Sequence, residues 1–325
     1  MLKAMVIGCG RIAGGVNNLL TTHAGAYRAR NGISIVACID IDEKRRNSFA
    51  KDYDCEAELE LQKALETHHP DIVSVCTPDN THYLFAEEIL LSAYIPKVIF
   101  LEKPACQTQA ELDNLISLSD RVGVLIVVNH SRRFDEHHQQ LKTRIFDGEF
   151  GELRRVYATY YSGWQHNGVH VIDTLSYLLN DSILVKNVNN VLESPYRSDP
   201  TLEIVGELKN TKTKIYLTEF DEKIYQIFEI DLRFNEGRLR LEDFGERILF
   251  EKKFINDFGE NVIKLVDLCL PKKEYTSMQN AVELICRSIE ENNLQLLDNY
   301  LLQHVSQTMQ TIWQGKKMWD RNEFK

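Results

Sequence analysis

The chain has 325 residues, 43% of them hydrophobic and 26% charged, with a formal net charge of −10. These are ordinary globular values for one or two domains with a real core, and they argue against a disordered chain. The acidic balance, with no Lys/Arg block, argues against nucleic acid as a partner. No apolar run reaches the roughly 20 residues that a bilayer span requires, and the opening Met1–Gly10 shows no signal-peptide core before a cleavage site, so no membrane is expected. The seven cysteines (Cys9, Cys38, Cys55, Cys76, Cys106, Cys269, Cys286) are dispersed and form no C-x-x-C pair. That usage suits a reduced, cytoplasmic protein without a structural metal.

The elements predicted along the first part alternate. Apolar runs at Ala4–Ile7, Ile33–Ile39, Ile72–Cys76, Val98–Leu101 and Val124–Val128 are separated by amphipathic stretches. Continuous Val/Ile runs predict parallel strands buried on both faces, with helices between them, as in a doubly wound sheet. Thr108 and Glu111 predict a capping box, and Gly123 closes the helix that follows.

After the first run comes Gly8-Cys9-Gly10-Arg11-Ile12-Ala13. This G-x-G-x-x-A predicts a tight turn, close approach of backbone to a pyrophosphate, and a helix packed against the strand. Gly8, Gly10, Arg11 and Ile12 are therefore candidate cofactor residues. The second run ends at Asp40, where a carboxylate can accept from the adenosine ribose and repel a 2′-phosphate, which favours NAD over NADP. Twenty-seven positions separate Ala13 from Asp40, against a usual spacing of about 20, so the first helix or its loop is extended. Arg45 and Arg46 lie just beyond and are expected on a solvated helix face.

The run Ile72–Cys76 is broken by Thr77-Pro78, and Asn80 and His82 open the next helix. These four lie at the carboxyl edge of the sheet, where ligands bind in open α/β folds; a plain capped turn is the alternative for Asn80. Val98–Leu101 ends abruptly in Glu102-Lys103-Pro104 on the same edge. Charges at a core strand end need a partner or a task. Asn129, Arg132 and Arg133 follow the fifth run, at the domain junction. The arginines can pair a phosphate or carboxylate, or bridge the domains.

From about Gly151 the strands become longer, partly alternating and rich in Tyr, Phe, Ile and Thr, which predicts an antiparallel sheet with one wet face. Asn235–Arg238 reads as a turn between two of them. Helical periodicity returns from about Tyr275 to Trp319. The expected division is residues 1–128 and 129–325, with a C-terminal helix able to pack back on the first domain. His137 and His138 are expected in solvent, and Trp313 and Trp319 in packing.

In this order, the glycine turn, the strand ending in Asp40, "TPDNTHY" and "EKP" resemble the Gfo/Idh/MocA (glucose–fructose oxidoreductase / inositol dehydrogenase) family. The resemblance continues through "FGELRRVYATY", "HNGVHVIDTLSYLL" and "NEGRLRLEDFG" and so covers most of the chain. It implies an α/β protein: an N-terminal Rossmann domain, and a C-terminal α+β domain whose large, open, mostly antiparallel sheet makes a homo-oligomer, a dimer or tetramer. It implies hydride transfer between NAD(P) and a sugar or polyol carbon, with Lys103 beside the nicotinamide and the reacting hydroxyl. Glu102 and Asn129 are expected to contact the cofactor.

His170 falls where the family carries its catalytic histidine. A histidine titrates near neutrality and can take the hydroxyl proton. Asp173, three residues on, shares its face and can hold the other ring nitrogen. Where many family members carry an acid, four positions earlier, this chain has His166, so the base is His166 or His170. Two histidines at that spacing can bind zinc, but no third ligand is near, and no metal is expected. A capping or core role remains open for both. Asn167 is expected to cap the helix, and Trp164 either stacks on a sugar or belongs to the core. The "HNGVH" variant leans, by resemblance, toward a nucleotide-linked sugar of surface-polysaccharide synthesis. The expected activity is that of an NAD-dependent sugar oxidoreductase. The alternatives are a non-catalytic NAD- and sugar-binding regulator, or a keto-sugar or imine reductase.

Overall fold

The computed structural model describes residues 1–15, 19–196 and 198–322. It divides into two compact units, Met1–Asp135 with Lys273–Ser306, and Glu136–Lys272 with Gln307–Lys325.

The apolar runs of the first unit become the strands Leu2–Ile7 (β1), Ile33–Ile39 (β2), Ile72–Val75 (β4), Val98–Leu101 (β5) and Leu125–Val128 (β6), joined by a short Glu56–Glu58 (β3). All pair in parallel, in the order β3-β2-β1-β4-β5-β6. β4 and β5 are buried along their whole length because helices cover both faces. β3, Glu-Ala-Glu, carries no apolar run and escapes sequence reading; it is held only by pairing with β2. The order reverses beside β1, so the carboxyl ends of β1, β4 and β5 share the edge where such sheets bind ligands.

The helices of this unit are His23–Ala29 (α1), Glu43–Tyr53 (α2), Leu61–His68 (α3), His82–Leu90 (α4) and Gln109–Val122 (α5). α5 carries the capping box of Thr108 and Glu111 and ends on Gly123 at φ 72°. α1 departs from expectation. Arg11–Gly15 form turns, and the helix starts only at His23, with Thr22 Oγ1 accepting from Gly25 N. The seven-residue α1 does not itself account for the long spacing to Asp40.

The second unit has the helices Glu136–Phe146 (α6) and Val169–Leu179 (α7). Its strands are Leu153–Tyr160 (β7), Ile183–Leu192 (β8), Thr201–Leu208 (β9), Lys214–Glu219 (β10), Glu229–Phe234 (β11), Gly237–Glu242 (β12), Arg247–Ile255 (β13) and Asn261–Val266 (β14). They form one sheet, β14-β13-β12-β11-β7-β10-β9-β8, antiparallel except for β7–β10. Asn235 and Glu236 turn between β11 and β12 as expected. The strands alternate: Ile230 and Leu232 face the core, Asp231 and Arg233 the other side. Val156, Ile215 and Leu239 from the sheet pack with Val171, Ile172 and Leu175 of α7. His138, expected in solvent, is 2% exposed. Trp313 and Trp319 pack against this core.

Two helices close the chain, Ser277–Glu290 (α8) and Leu302–Asn322 (α9). α8 belongs to the first unit. Met278, Ala281, Val282, Ile285 and Cys286 share one stripe and pack in a core with Tyr27 and Phe134.

Candidate active site

The glycine turn lies against the end of β4. At Gly8, φ is 85° and a Cβ would stand 2.7 Å from Cys76 O and 2.9 Å from Thr77 N, so only glycine fits. At Gly10 a Cβ would meet nothing within 4 Å, which leaves the backbone face open to a ligand. Arg11 and Ile12 follow, both exposed.

Asp40 closes the turn from the side. Its Oδ2 accepts from Cys9 N at 2.8 Å and its Oδ1 from Asp42 N at 2.8 Å. An ionised carboxylate has about four acceptor sites, so capacity remains for hydroxyl donors. Arg45 Nε stands 3.4 Å from Asp40 Oδ2, and Arg46 Nη1 donates to Asp40 O at 2.6 Å. Arg45 stays exposed, as a solvated helix face requires, and Arg46 is half-buried; both lean toward the carboxylate and carbonyl of Asp40 that follow β2. An open backbone face at Gly10 between the tight Gly8 and a carboxylate fits a dinucleotide cofactor.

Thr77 is half-buried and Pro78 exposed at the end of β4; Asn80 is exposed in the 3₁₀ turn Asp79–Thr81 and does not cap α4. His82 is 1% exposed. Its Nδ1 lies 2.7 Å from Pro104 O and its Nε2 2.8 Å from Thr77 O. Both nitrogens face acceptors, so the ring ties the Thr77 loop to the Pro104 loop and leaves neither nitrogen for the expected cofactor contact.

Glu102 and Lys103 end β5 differently. Lys103 is half-buried, and the Lys103–Pro104 peptide is cis. Glu102 is buried, and its Oε1 accepts from His23 Nε2 at 2.9 Å and Asn129 Nδ2 at 2.6 Å. His23 Nδ1 meets Ser74 Oγ at 3.0 Å, and Ser74 Oγ meets Tyr27 Oη at 2.8 Å. Burial alone would raise the Glu102 carboxyl, but the hydrogen bond and charge of His23, with Asn129 and Lys103, outweigh it and hold it below the usual range. Burial pushes the Tyr27 phenol up, and burial with the Glu102 charge pushes the Cys76 thiol up. Asn129 Oδ1 is buried and meets no donor among the described residues.

Arg132 is half-buried, and Arg133 is 7% exposed with Nη1 donating to Asn299 O at 2.9 Å. That bond stays within the first unit.

In the second unit, Trp164–Gly168 form a π turn ahead of α7. Asn167 lies inside it and is not a cap. The carboxylate of Asp199, from the β8–β9 connection, takes that role: it accepts from Gln165 N at 2.7 Å and from His166 N at 2.8 Å. Burial nonetheless raises the Asp199 carboxyl, against these two bonds. His166 Nε2 lies 2.8 Å from Tyr196 Oη. His170 is half-buried on the first turn of α7, and Asp173 is buried, its Oδ1 accepting from Thr308 Oγ1 at 3.0 Å. Trp164 is 1% exposed and donates from Nε1 to Ile312 O at 2.7 Å. Of its two readings the core one stands; the enclosed indole has no face for a sugar.

Residues 2–130 match the Gfo/Idh/MocA family model, described as "Oxidoreductase family, NAD-binding Rossmann fold". Over those residues the chain has the NAD-binding Rossmann fold that the model describes. Among curated relatives, D-glucoside 3-dehydrogenase of Escherichia coli K12 is 26% identical over 208 residues, covering 58% of this chain and 56% of that protein. The chain spans about half the length of the curated relatives it matches. KijD10, a 3-ketoreductase from Actinomadura kijaniata solved with TDP-benzene and NADP, superposes with a TM-score of 0.75 at 16% identity, over 98% of this chain and 96% of that one. A super-repressor mutant of Gal80p from Saccharomyces cerevisiae superposes at 0.77 and 14%, over 99% and 97%. At these identities the two structures share the fold alone.

His23, Ser74, Tyr196 and Asp199 are missing from the sequence reading. His23 stands among small residues of a short helix, and nothing in its spacing distinguishes it from a core histidine. Tyr196 and Asp199 lie about thirty positions from the turn they grip, and no local pattern marks such a contact. The one available signal was negative: three residues after Asn167 stands His170, not the Glu or Gln that completes a capping box.

Proposed function

We propose that this Gfo/Idh/MocA protein is an NAD-dependent oxidoreductase that moves a hydride between the nicotinamide and a secondary alcohol or ketone of a sugar. The observation that carries the reading is Lys103, next to the buried Glu102 at the end of β5, on the sheet edge that carries the glycine turn. The cofactor supplies or accepts the hydride; the side chains bind, orient and move the proton. Gly8, Gly10, Arg11 and Ile12 hold the pyrophosphate, Asp40 the adenosine ribose, and Thr77, Pro78, Asn80, Glu102 and Asn129 the remaining nucleotide. The Lys103 ammonium orients the substrate oxygen and stabilises its developing negative charge. His170 or His166 takes the hydroxyl proton in oxidation and returns it in reduction, with Asp173 assisting His170.

Asp40 supports NAD, since a 2′-phosphate would meet a carboxylate there, although KijD10 was solved with NADP. Arg132 suits the phosphates of a nucleotide-linked sugar, and the TDP moiety bound by KijD10 supports that substrate class. Arg133, which donates to Asn299 O, is the second basic residue proposed for that phosphate contact. The eight-stranded sheet is read as a homo-oligomer interface, and the dispersed free thiols suit a cytoplasmic setting. Among the described residues no helix is long and apolar enough to cross a membrane.

The deciding test is NADH formation from NAD with a panel of free and nucleotide-linked sugars, and NADH consumption with keto-sugars. The likeness to Gal80p favours a second reading, a regulator that binds cofactor and sugar without turnover. Sugar binding with no turnover in either direction would select it.

A further inference from the structure

The turn that carries His166 is gripped twice by one distant segment. Asp199 caps the amides of Gln165 and His166, while Tyr196 reaches the imidazole itself. The two rings stand 4.2 Å apart, tilted by 35°. The segment is built to do this. Tyr196 N donates to Ser194 Oγ, Ser194 Oγ to Asp199 O, and Asp199 N to Tyr196 O. Trp164 N donates to Pro200 O and Gly163 N to Thr201 Oγ1, so the segment and the π turn are stitched together on both sides. Gly163 is part of the fit: at φ 92°, a Cβ there would stand 2.4 Å from Asp199 Oδ2. π turns recur at functional sites, where the extra residue redirects a side chain.

We infer that Tyr196 is a catalytic residue of this site and forms a proton relay with His166. The inference rests on the oxidoreductase reading above, with His166 rather than His170 as the base. His166 Nε2 is already engaged by the tyrosine hydroxyl, so a proton bound for that nitrogen arrives through Tyr196. The phenol is the outer member of the pair, 42% exposed, with His166 half-buried behind it. In oxidation the substrate O–H bond breaks and its proton goes to Tyr196 Oη. The Tyr196 O–H proton passes in the same step to His166 Nε2, which becomes imidazolium. The C–H electron pair leaves as hydride to the oxidised nicotinamide, and the carbonyl forms. In reduction each transfer reverses. A neutral tyrosine hydroxyl can play both parts because it donates and accepts at one oxygen.

Two measurements test this. The first needs no substrate: in nitrogen-15-labelled protein at one fixed pH, Tyr196→Phe keeps the stacked ring but removes the hydroxyl. The His166 Nε2 resonance, identified by its loss in His166→Gln, is expected to move. The second is turnover of whichever sugar yields NADH. Tyr196→Phe is expected to lower kcat about 100-fold with KM little changed, and Tyr196→Phe/His166→Gln to be no worse than the poorer single variant, as for groups acting together. An unmoved Nε2 resonance, an intact kcat in Tyr196→Phe, or additive losses in the double variant would each overturn the relay. Wild-type protein that turns over no sugar overturns the oxidoreductase reading first, and the relay with it.

Discussion

His23 Nε2 lies 2.9 Å from Glu102 Oε1, with the imidazole fully buried and the carboxylate 7% exposed. Removing one partner of such a pair strands the other. His23→Ala is therefore expected to destabilise the protein by about 3–5 kcal/mol, read from denaturant unfolding. The pH dependence follows from the lowered Glu102 carboxyl. A folded carboxyl held below its unfolded value adds stability that is full above the unfolded range and is lost as pH falls through the folded value. Wild type should thus keep this contribution until the pH is below about 4. In His23→Ala, burial is less opposed, so the loss should begin at higher pH. Identical acid-unfolding profiles for the two proteins would refute this account.

Lys103→Ala should abolish catalysis but not cofactor binding. Loss of a group that stabilises developing oxyanion charge lowers kcat by about 100- to 1,000-fold. NAD affinity, measured by fluorescence titration, should change little. A variant that loses NAD binding in step with activity would mark Lys103 as a cofactor anchor instead.

Asp40 has two tasks that one substitution separates. A like charge about 4 Å away costs roughly 1–4 kcal/mol between water and a protein surface. Asp40→Ser is therefore expected to raise the NADP:NAD affinity ratio tenfold or more, as Arg45 and Arg46 gain a phosphate to pair. The same change takes an acceptor from Cys9 N, so the melting temperature should fall as well. An unchanged affinity ratio would mean that the ribose lies elsewhere.

Gly163→Ala should damage the second unit out of proportion to its size. The new Cβ meets Asp199 at 2.4 Å on a backbone at φ 92°. Strain of this kind costs about 1–3 kcal/mol. Asp199→Asn, which can offer only one acceptor oxygen to two amides, should be milder. Thermal melts of both variants check the ranking.

The β13–β14 hairpin exposes Ile255 at 73%, Phe258 at 89% and Leu265 at 62%. If this sheet makes the homo-oligomer, Ile255→Ser/Leu265→Ser should lower the mass measured by light scattering toward that of one chain. A wild-type monomer at micromolar concentration would refute the interface.

Much of the first unit is legible without coordinates. Continuous apolar runs mark strands covered on both faces, and all five predicted runs coincide with strands to within two residues. The capping box at Thr108 is equally local, since both of its bonds lie within three positions. β3 was invisible because an edge strand of two glutamates and an alanine has no hydrophobic signature. The long spacing to Asp40 announced that the first helix or its loop is extended, but not that α1 would begin as late as His23. Arg46 and His138 were expected in solvent and are half-buried and buried; a polar helix pattern does not reveal what its side chains reach.

What the sequence determined by itself is what its local chemistry encodes. Periodicity set the alternation of strands and helices, glycine spacing set the phosphate turn, and Glu102-Lys103-Pro104 marked a charged strand end. What only the tertiary structure decided is which distant groups complete those local features. His23 reaches Glu102 across 79 positions, His82 ties Thr77 to Pro104, and Tyr196 and Asp199 grip the turn of His166. A buried polar atom must find a partner wherever the fold brings one, and hydrogen-bond geometry depends on separation in space, not along the chain.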